Sequence, residues 1–96
     1  MTRDTIRVVA SDAVQDLHAH IISAGLHAQS ALITCEAFDI RFCLGDAVPT
    51  QGANGLGHIL YAKQSMALEE VSDLRTLSFI NYTNGSDAIL QITLRD

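Results

Sequence analysis

Apolar and polar residues alternate through residues 77–94, and the pair Asn84-Gly85 lies in the middle of this segment. Asn-Gly between two apolar runs is typical of a β-hairpin, because a type I′ turn requires positive φ at both central residues. Such a turn would join Thr83 to Ser86 and fix the register of the two strands. On one face the opposite pairs would be Leu77 and Ile92, Phe79 and Leu90, and Asn81 and Ala88; on the other, Thr76 and Thr93, Ser78 and Gln91, and Ile80 and Ile89.

Strand-like alternation recurs along the rest of the chain, with turn residues between the segments. The predicted strands cover residues 5–10, 31–35, 38–44, 58–62 and 65–68, with turns at residues 11–12, 36–37 and 63–64. In residues 38–44, the pattern places Phe38, Ile40, Phe42 and Leu44 on one side and Asp39, Arg41 and Cys43 on the other. About seven to eight short strands joined by turns predict an all-β fold, a small antiparallel β-sandwich or barrel. The length predicts a single β domain over residues 1–96.

Residues 13–22 fit two patterns. Val14, Leu17 and Ile21 have the spacing of a short helix, with Ser11 or Asp12 as its N-cap. His18, His20 and Ile22 also alternate with Leu17, Ala19 and Ile21, as they would in a strand. The sequence favours extended structure here, because the surrounding pattern is β and Gly25 would soon interrupt a helix.

Two further stretches are not clear strands. Residues 45–57 contain Pro49 and several glycines, and a connection of this length is typical of a functional or mobile loop. Residues 69–75 predict one helical turn or a wide loop before the final strands.

Composition limits the function more than it defines it. The formal net charge is −5 and the basic residues are dispersed, so we expect no nucleic-acid partner. No apolar run approaches the roughly 20 residues of a membrane span, and the first residues lack the apolar segment of a signal peptide, which predicts a reducing cytosol and no membrane partner. Cys35 and Cys43 are therefore expected to remain free thiols.

The chain carries little that predicts catalysis or metal binding. His18 and His20 would lie on one face of a strand, but two ligands do not complete a metal site. The glycines of residues 52–57 lead into a strand and lack the lysine of a phosphate-binding loop. We find no nucleophile elbow and no acid–base pair. The sequence predicts no enzyme activity, no cofactor and no metal.

The predicted hairpin register would leave an apolar patch on the outside of the C-terminal sheet. Ile80 and Ile89 would pair there, and Tyr82, Ile59 and Tyr61 have the same character. A sheet face in water normally carries polar residues, so we expect this patch to be a self-association face in a homo-oligomer. The alternative is that residues 13–22 cover the patch within one chain.

From residue 38 onward the sequence resembles a loose class of small structural proteins of tailed phages and prophages. The resemblance lies in these segments: Asp-Ile-Arg-Phe-Cys-Leu-Gly-Asp at 39–46, Pro-Thr at 49–50, Gly-His-Ile-Leu at 57–60, Gln-Ser-Met-Ala-Leu at 64–68, Leu-Arg-Thr-Leu-Ser-Phe-Ile-Asn at 74–81 and Asn-Gly-Ser-Asp-Ala-Ile-Leu-Gln-Ile-Thr at 84–93. Lys63-Gln64 departs from the class, which often has Gly at this turn.

The resemblance implies an all-β component of a virion, such as a capsid decoration, head–tail or tail accessory protein, made in the bacterial host cytoplasm. It implies docking onto other virion proteins and no catalytic residues. The alternative is a small-ligand or carbohydrate-binding β-sandwich module that uses residues 45–57 as the rim of its site. The shortage of aromatic residues, with no Trp, counts against that alternative.

Overall fold

The computed structural model describes residues 3–45 and 47–95. Strands form most of the regular structure, and two short helices interrupt their sequence. In chain order the elements are β1 (Arg3–Ala10), β2 (Gln15–Asp16), α1 (Leu17–Ser23), β3 (Ser30–Ala37), β4 (Ile40–Cys43), β5 (His58–Leu60), β6 (Ser65–Leu68), α2 (Val71–Thr76), β7 (Ser78–Asn81) and β8 (Ala88–Arg95).

The strands form two four-stranded antiparallel sheets that enclose one apolar core. Sheet A has the strand order β1-β8-β3-β6, and sheet B has the order β2-β7-β4-β5. Because successive strand residues point to opposite faces, each strand directs alternate apolar side chains inward. The largest fully buried apolar side chains include Leu17, Ile33, Ile40, Leu74, Leu77, Phe79, Leu90, Ile92 and Leu94. The prediction of a small antiparallel β-sandwich is confirmed.

The strand orders define a jelly roll. The neighbouring pairs β1–β8, β2–β7, β3–β6 and β4–β5 are those of one long antiparallel hairpin. The contacts β8–β3 and β7–β4 then arise because this hairpin is wrapped around itself into two sheets. Of the connections between consecutive strands described, the one from β4 to β5 stays in its sheet, and every other one crosses to the opposite sheet.

The predicted hairpin of residues 77–94 is wrong, because β7 and β8 lie in different sheets. Phe79 is opposite Gln15 and Phe42 in sheet B, whereas Leu90 is opposite Val8 and Cys35 in sheet A. Phe79 and Leu90 are both in the core, reaching it from the two opposite sheets. The alternation correctly indicated which face of each strand is buried, but it does not distinguish pairing within a sheet from packing across the core.

The turn at Asn84-Gly85 exists, but it is not type I′. The Ser86 N–H donates to the Thr83 carbonyl at 3.0 Å, as predicted. Gly85 has φ of 83°, whereas Asn84 is not among the described residues with positive φ. Positive φ at the third residue alone is the requirement of a type II turn, which here connects the two sheets.

Residues 13–22 are mostly helical, so the preferred extended interpretation is wrong from Leu17 onward. After the short strand β2, the Asp16 side chain accepts a hydrogen bond from the His18 N–H at 3.0 Å and caps α1. Leu17 and Ile21 are buried, which is the helical spacing that the sequence also offered. The N-cap is Asp16 rather than Ser11 or Asp12.

The corner between β3 and β4 lies later than predicted. The turn was predicted at Glu36-Ala37, but these two residues belong to β3. The chain turns at Phe38, whose φ is 60°. Phe38 and Leu44, predicted to share a buried face with Ile40, are exposed. Gly45 and residues 47–57 are irregular, and α2 supplies the helical turn expected near residues 69–75.

We expect Gly85→Val to lower the free energy of unfolding by about 1–2 kcal/mol, because a β-branched residue would be forced to positive φ. A Cβ at Gly85 would meet no atom within 4 Å, so backbone strain is the main cost. Denaturant unfolding of this variant and of Asn84→Ala, whose position does not require positive φ, measures that strain. Equal stability of Gly85→Val and the parent would contradict the assigned turn.

Candidate functional site

The outer face of sheet B is closed by Gly45 and residues 47–57, which are here called the 45–57 loop. The register places Arg41 between Ile80 on β7 and Ile59 on β5, so these three residues lie on the same face of the sheet. Arg41 and Ile80 are each only 6% exposed, although their face points away from the core. The burial comes from the loop folded over them.

Arg41 holds the loop in place through its guanidinium group. Its Nε, Nη1 and Nη2 atoms donate to the carbonyl oxygens of Gly52 at 2.9 Å, Gly57 at 2.6 Å and Ala53 at 3.2 Å. The guanidinium carbon also lies 5.3 Å from the centre of the Tyr82 ring, in a cation–π contact. A buried charge with several acceptors of this kind fixes the loop on the sheet.

The five residues predicted to form one self-association face do not lie on one face. Ile80 is buried under the 45–57 loop, Ile59 and Tyr82 are half-buried, and Tyr61 is exposed. Ile89 is on the outer face of sheet A, opposite Val9, on the other side of the sandwich. The chain itself covers the Ile80 face, as the alternative interpretation proposed, but the 45–57 loop does so rather than residues 13–22.

A polar network joins the loop to the turn at Gly85 and to the segment after β1. Asp12 Oδ1 accepts hydrogen bonds from Asn81 Nδ2 at 2.8 Å, the Gly85 N–H at 2.9 Å and Gln51 Nε2 at 3.1 Å. Gln51 Nε2 also donates to Asn81 Oδ1, and the Asn81 side chain is fully buried. The Gly85 amide, followed by the Asn81 side chain, lowers the pKa of the Asp12 carboxyl. The network therefore connects three segments that are distant in sequence.

Sequence reasoning missed this network. The sequence pattern places Asp12 in a turn or at the N-cap of a short helix, and Asn81 in the predicted hairpin, and neither position predicts that the two side chains meet. The available signal was Asn81 itself, an amide on the same alternating face as Leu77 and Phe79, because a buried polar side chain requires hydrogen-bond partners.

The outer face of sheet A has a different character. Val9 and Leu32 are exposed there, and Ile89 is half-buried. The other outward side chains are mostly polar and are exposed or half-buried, and they include Thr5, Arg7, Thr34, Glu36, Gln91 and Thr93. Gln91 Nε2 donates to Glu36 Oε2 at 3.1 Å, and the Thr5 and Thr93 hydroxyls are 3.1 Å apart. This face presents a mixed apolar and hydroxyl-rich surface to solvent.

The two histidines of His18-Ala-His20 have separate surroundings. They lie on α1, where residues two apart do not face each other, rather than on one side of a strand. His20 Nε2 is 2.7 Å from Gln15 Oε1, and the ring stacks near Phe79 with centroids 6.1 Å apart. Within residues 3–45 and 47–95, no group of three or more His, Cys, Asp or Glu side chains is arranged to hold a metal ion.

His18 instead lines a pocket between α1 and α2, with a volume of about 270 Å³. Three of its lining residues, His18, His27 and Arg75, have basic side chains, which suit an anion. The remaining lining residues are apolar or glycine. Its lining residues are His18, Ile21, Ile22, Gly25, Leu26, His27, Ala28, Leu74 and Arg75. The pocket is therefore a small cleft with both basic and apolar lining.

Cys35 and Cys43 are both buried and free. Cys35 lies in sheet A and Cys43 in sheet B, so they are not on the two strands of one hairpin. The Cys35 thiol donates to the Phe38 carbonyl at 2.7 Å. Burial, with a contribution from the Asp39 carboxylate, raises the pKa of Cys35 to about 11, so the thiol is not activated as a nucleophile.

Comparisons with protein-family models, with curated proteins and with solved structures found no match. Neither helix in the described part of the chain is long and apolar enough to cross a membrane.

We expect Arg41→Lys to lower the free energy of unfolding by about 2–4 kcal/mol, because one ammonium group cannot replace three guanidinium donors to separate carbonyls. The exposed Arg75→Lys is the matched control and should change stability by no more than about 0.5 kcal/mol. Denaturant unfolding measures both variants. A cost for Arg41→Lys no larger than that of the control would show that Arg41 does not hold the loop.

The raised pKa of Cys35 predicts a loss of stability at alkaline pH. The folded state retains the thiol proton to about pH 11, whereas the unfolded state releases it near pH 9, so the folded state binds more protons in that range. Stability therefore falls as pH rises through that range. Between about pH 9 and pH 11, the free energy of unfolding should decline more steeply with pH in the parent than in Cys35→Ala. Parallel declines would contradict the assignment.

Proposed function

We propose that this protein is a non-enzymatic structural component of a phage or prophage particle. It acts by self-association through the outer face of sheet A and by docking onto other virion proteins. The observation that carries the proposal is the asymmetry of the sandwich: the 45–57 loop closes the outer face of sheet B, whereas the outer face of sheet A exposes Val9 and Leu32.

The fold favours a function that uses the outer surface of the protein rather than a ligand site between its two sheets. Jelly rolls include viral capsid domains, lectin domains and cupins, so the fold alone does not define the function. In this chain large apolar side chains such as Phe79, Ile33 and Leu17 fill the space between the sheets. The filled core counts against a cupin-like internal ligand site. The resemblance from residue 38 onward to phage structural proteins then favours the virion role.

A second copy of this chain fits the outer face of sheet A. Arg7 and Glu36 are both exposed there, on β1 and on β3. In a two-fold contact each residue meets an equivalent surface, so Arg7 of one copy would be able to face Glu36 of the other, and the reverse. The apolar side chains of Val9, Leu32 and Ile89 would be buried by the same contact.

The second candidate is a small-ligand module, and the pocket between α1 and α2 favours it. His18, His27 and Arg75 would select an anionic ligand there. The volume of about 270 Å³ is at the lower limit of typical ligand sites, and the lining contains no Phe, Tyr or Trp to stack on a sugar. The 45–57 loop, expected to form the rim of such a site, is instead fixed on sheet B.

We expect the parent protein to be an oligomer at micromolar concentration and Leu32→Glu to dissociate it into folded monomers. A charge placed in an apolar contact is strongly disfavoured, whereas Leu32 is 44% exposed within one chain, so the fold should tolerate the change. Leu56→Glu is the matched control, because Leu56 is 55% exposed on the 45–57 loop. Light scattering measures the mass, and circular dichroism confirms folding.

A monomeric parent would contradict the proposal. If the oligomer survives Leu32→Glu but dissociates with Leu56→Glu, the interface lies on the side of sheet B rather than on sheet A.

A further inference from the structure

The chain contains two Asn-Gly pairs in irregular segments, Asn54-Gly55 and Asn84-Gly85. An asparagine followed by glycine is chemically labile, because glycine has no side chain to hinder attack by its own backbone nitrogen. Both asparagines are exposed, so water reaches both side chains. The two pairs differ in what binds the glycine nitrogen, and that difference is the basis of the inference.

At Asn84-Gly85 the glycine N–H donates to a carboxylate. Gly85 N lies 2.9 Å from Asp12 Oδ1, which also accepts hydrogen bonds from Asn81 and Gln51. At Asn54-Gly55 the glycine N–H donates to the Gly52 carbonyl at 3.1 Å, inside the 45–57 loop. The glycine N–H of the first pair is therefore held by a side chain from a separate segment, and that of the second pair by a carbonyl of the local backbone.

We propose that Asn84 is a deamidation site and that Asp12 restrains the reaction by holding the Gly85 N–H. In the reaction, the Gly85 nitrogen loses its proton to solvent base and forms a bond to the side-chain carbonyl carbon of Asn84. The bond from that carbon to the amide nitrogen breaks, and ammonia leaves with one proton taken from solvent. Water then opens the cyclic succinimide at either carbonyl and produces aspartate or isoaspartate at position 84. The net change is amide plus water to carboxylic acid plus ammonia, with no oxidation or reduction.

Asp12 restrains this reaction in two ways. The hydrogen bond directs the Gly85 N–H toward Asp12, and the nitrogen must leave that position to attack the Asn84 side chain. The negative charge of Asp12 also opposes formation of the negatively charged nitrogen that attacks.

The opposite effect, in which Asp12 removes the proton as a general base, is disfavoured. Asp12 accepts hydrogen bonds from three donors, which stabilise the charged carboxylate and lower its pKa. The carboxylate is therefore a weak base.

The product would disturb the network that Asp12 organises. Either product places a new carboxylate next to the Gly85 amide, and isoaspartate also lengthens the main chain by one methylene. Both changes weaken the bond from Gly85 to Asp12, which joins the turn to Asn81 and Gln51. Deamidation at position 84 would therefore loosen the attachment of the 45–57 loop.

The test compares the parent with Asp12→Ala and Gln51→Ala. Folded protein is incubated at neutral pH, and peptide mapping by mass spectrometry measures aspartate and isoaspartate at positions 84 and 54. In Asp12→Ala we expect the rate at Asn84 to rise about two- to tenfold, the range that the loss of one hydrogen bond gives. The rate at Asn54 should not change. Gln51→Ala removes another donor to Asp12 but leaves the bond to Gly85, so its rate at Asn84 should match the parent.

Four outcomes would overturn the proposal. An unchanged rate at Asn84 in Asp12→Ala would show that Asp12 does not restrain it, and a slower rate would make Asp12 the base. An equal rise at Asn84 and Asn54 would show that general loosening of the fold is responsible. If the rate at Asn84 rises as much in Gln51→Ala as in Asp12→Ala, general loosening of the fold would again be responsible.

Discussion

A buried guanidinium group requires hydrogen-bond acceptors, and in this protein that requirement determines which surface remains available. Arg41 points away from the core on sheet B and takes its partners from the carbonyl oxygens of Gly52, Ala53 and Gly57. The described residues of this segment, Gly45 and 47–57, form no strand or helix of their own, and they become a fixed cover over Ile80. Because one outer face is closed in this way, the other outer face is the one that we consider for contacts with other molecules.

Much of the fold followed from the sequence because strands have a strict period of two. Ser65–Leu68 was predicted with its observed bounds, and the irregular character predicted for residues 45–57 is correct for the described residues, Gly45 and 47–57. The partner of each strand was not predictable in this way. The apolar residues on either side of Asn84-Gly85 fit a hairpin and two strands facing each other across a core equally well, since both arrangements bury the same face.

The polar contacts were harder to predict than the strands. The sequence correctly placed Arg41 on the face opposite Ile40, but the cover over Arg41 depends on a loop that has no periodicity to read. The Asp12 network joins residues far apart in the chain, so no local motif encodes it. The backbone at Lys63 was not predicted either: its φ is 69°, a value that glycine adopts without strain but that other residues rarely adopt.

The position of β8 has a consequence for the order in which the molecule is built. β8 lies between β1 and β3, so sheet A is incomplete until nearly all of the described chain has been synthesised. Until then β1 and β3 leave backbone groups unpaired along the edges that β8 will occupy, together with an uncovered apolar face. Pairing of strands so distant in sequence is slow, because the intervening chain must be ordered first. Newly made chains are therefore at greatest risk of aggregation before β8 inserts, and chaperones would be most useful in that interval.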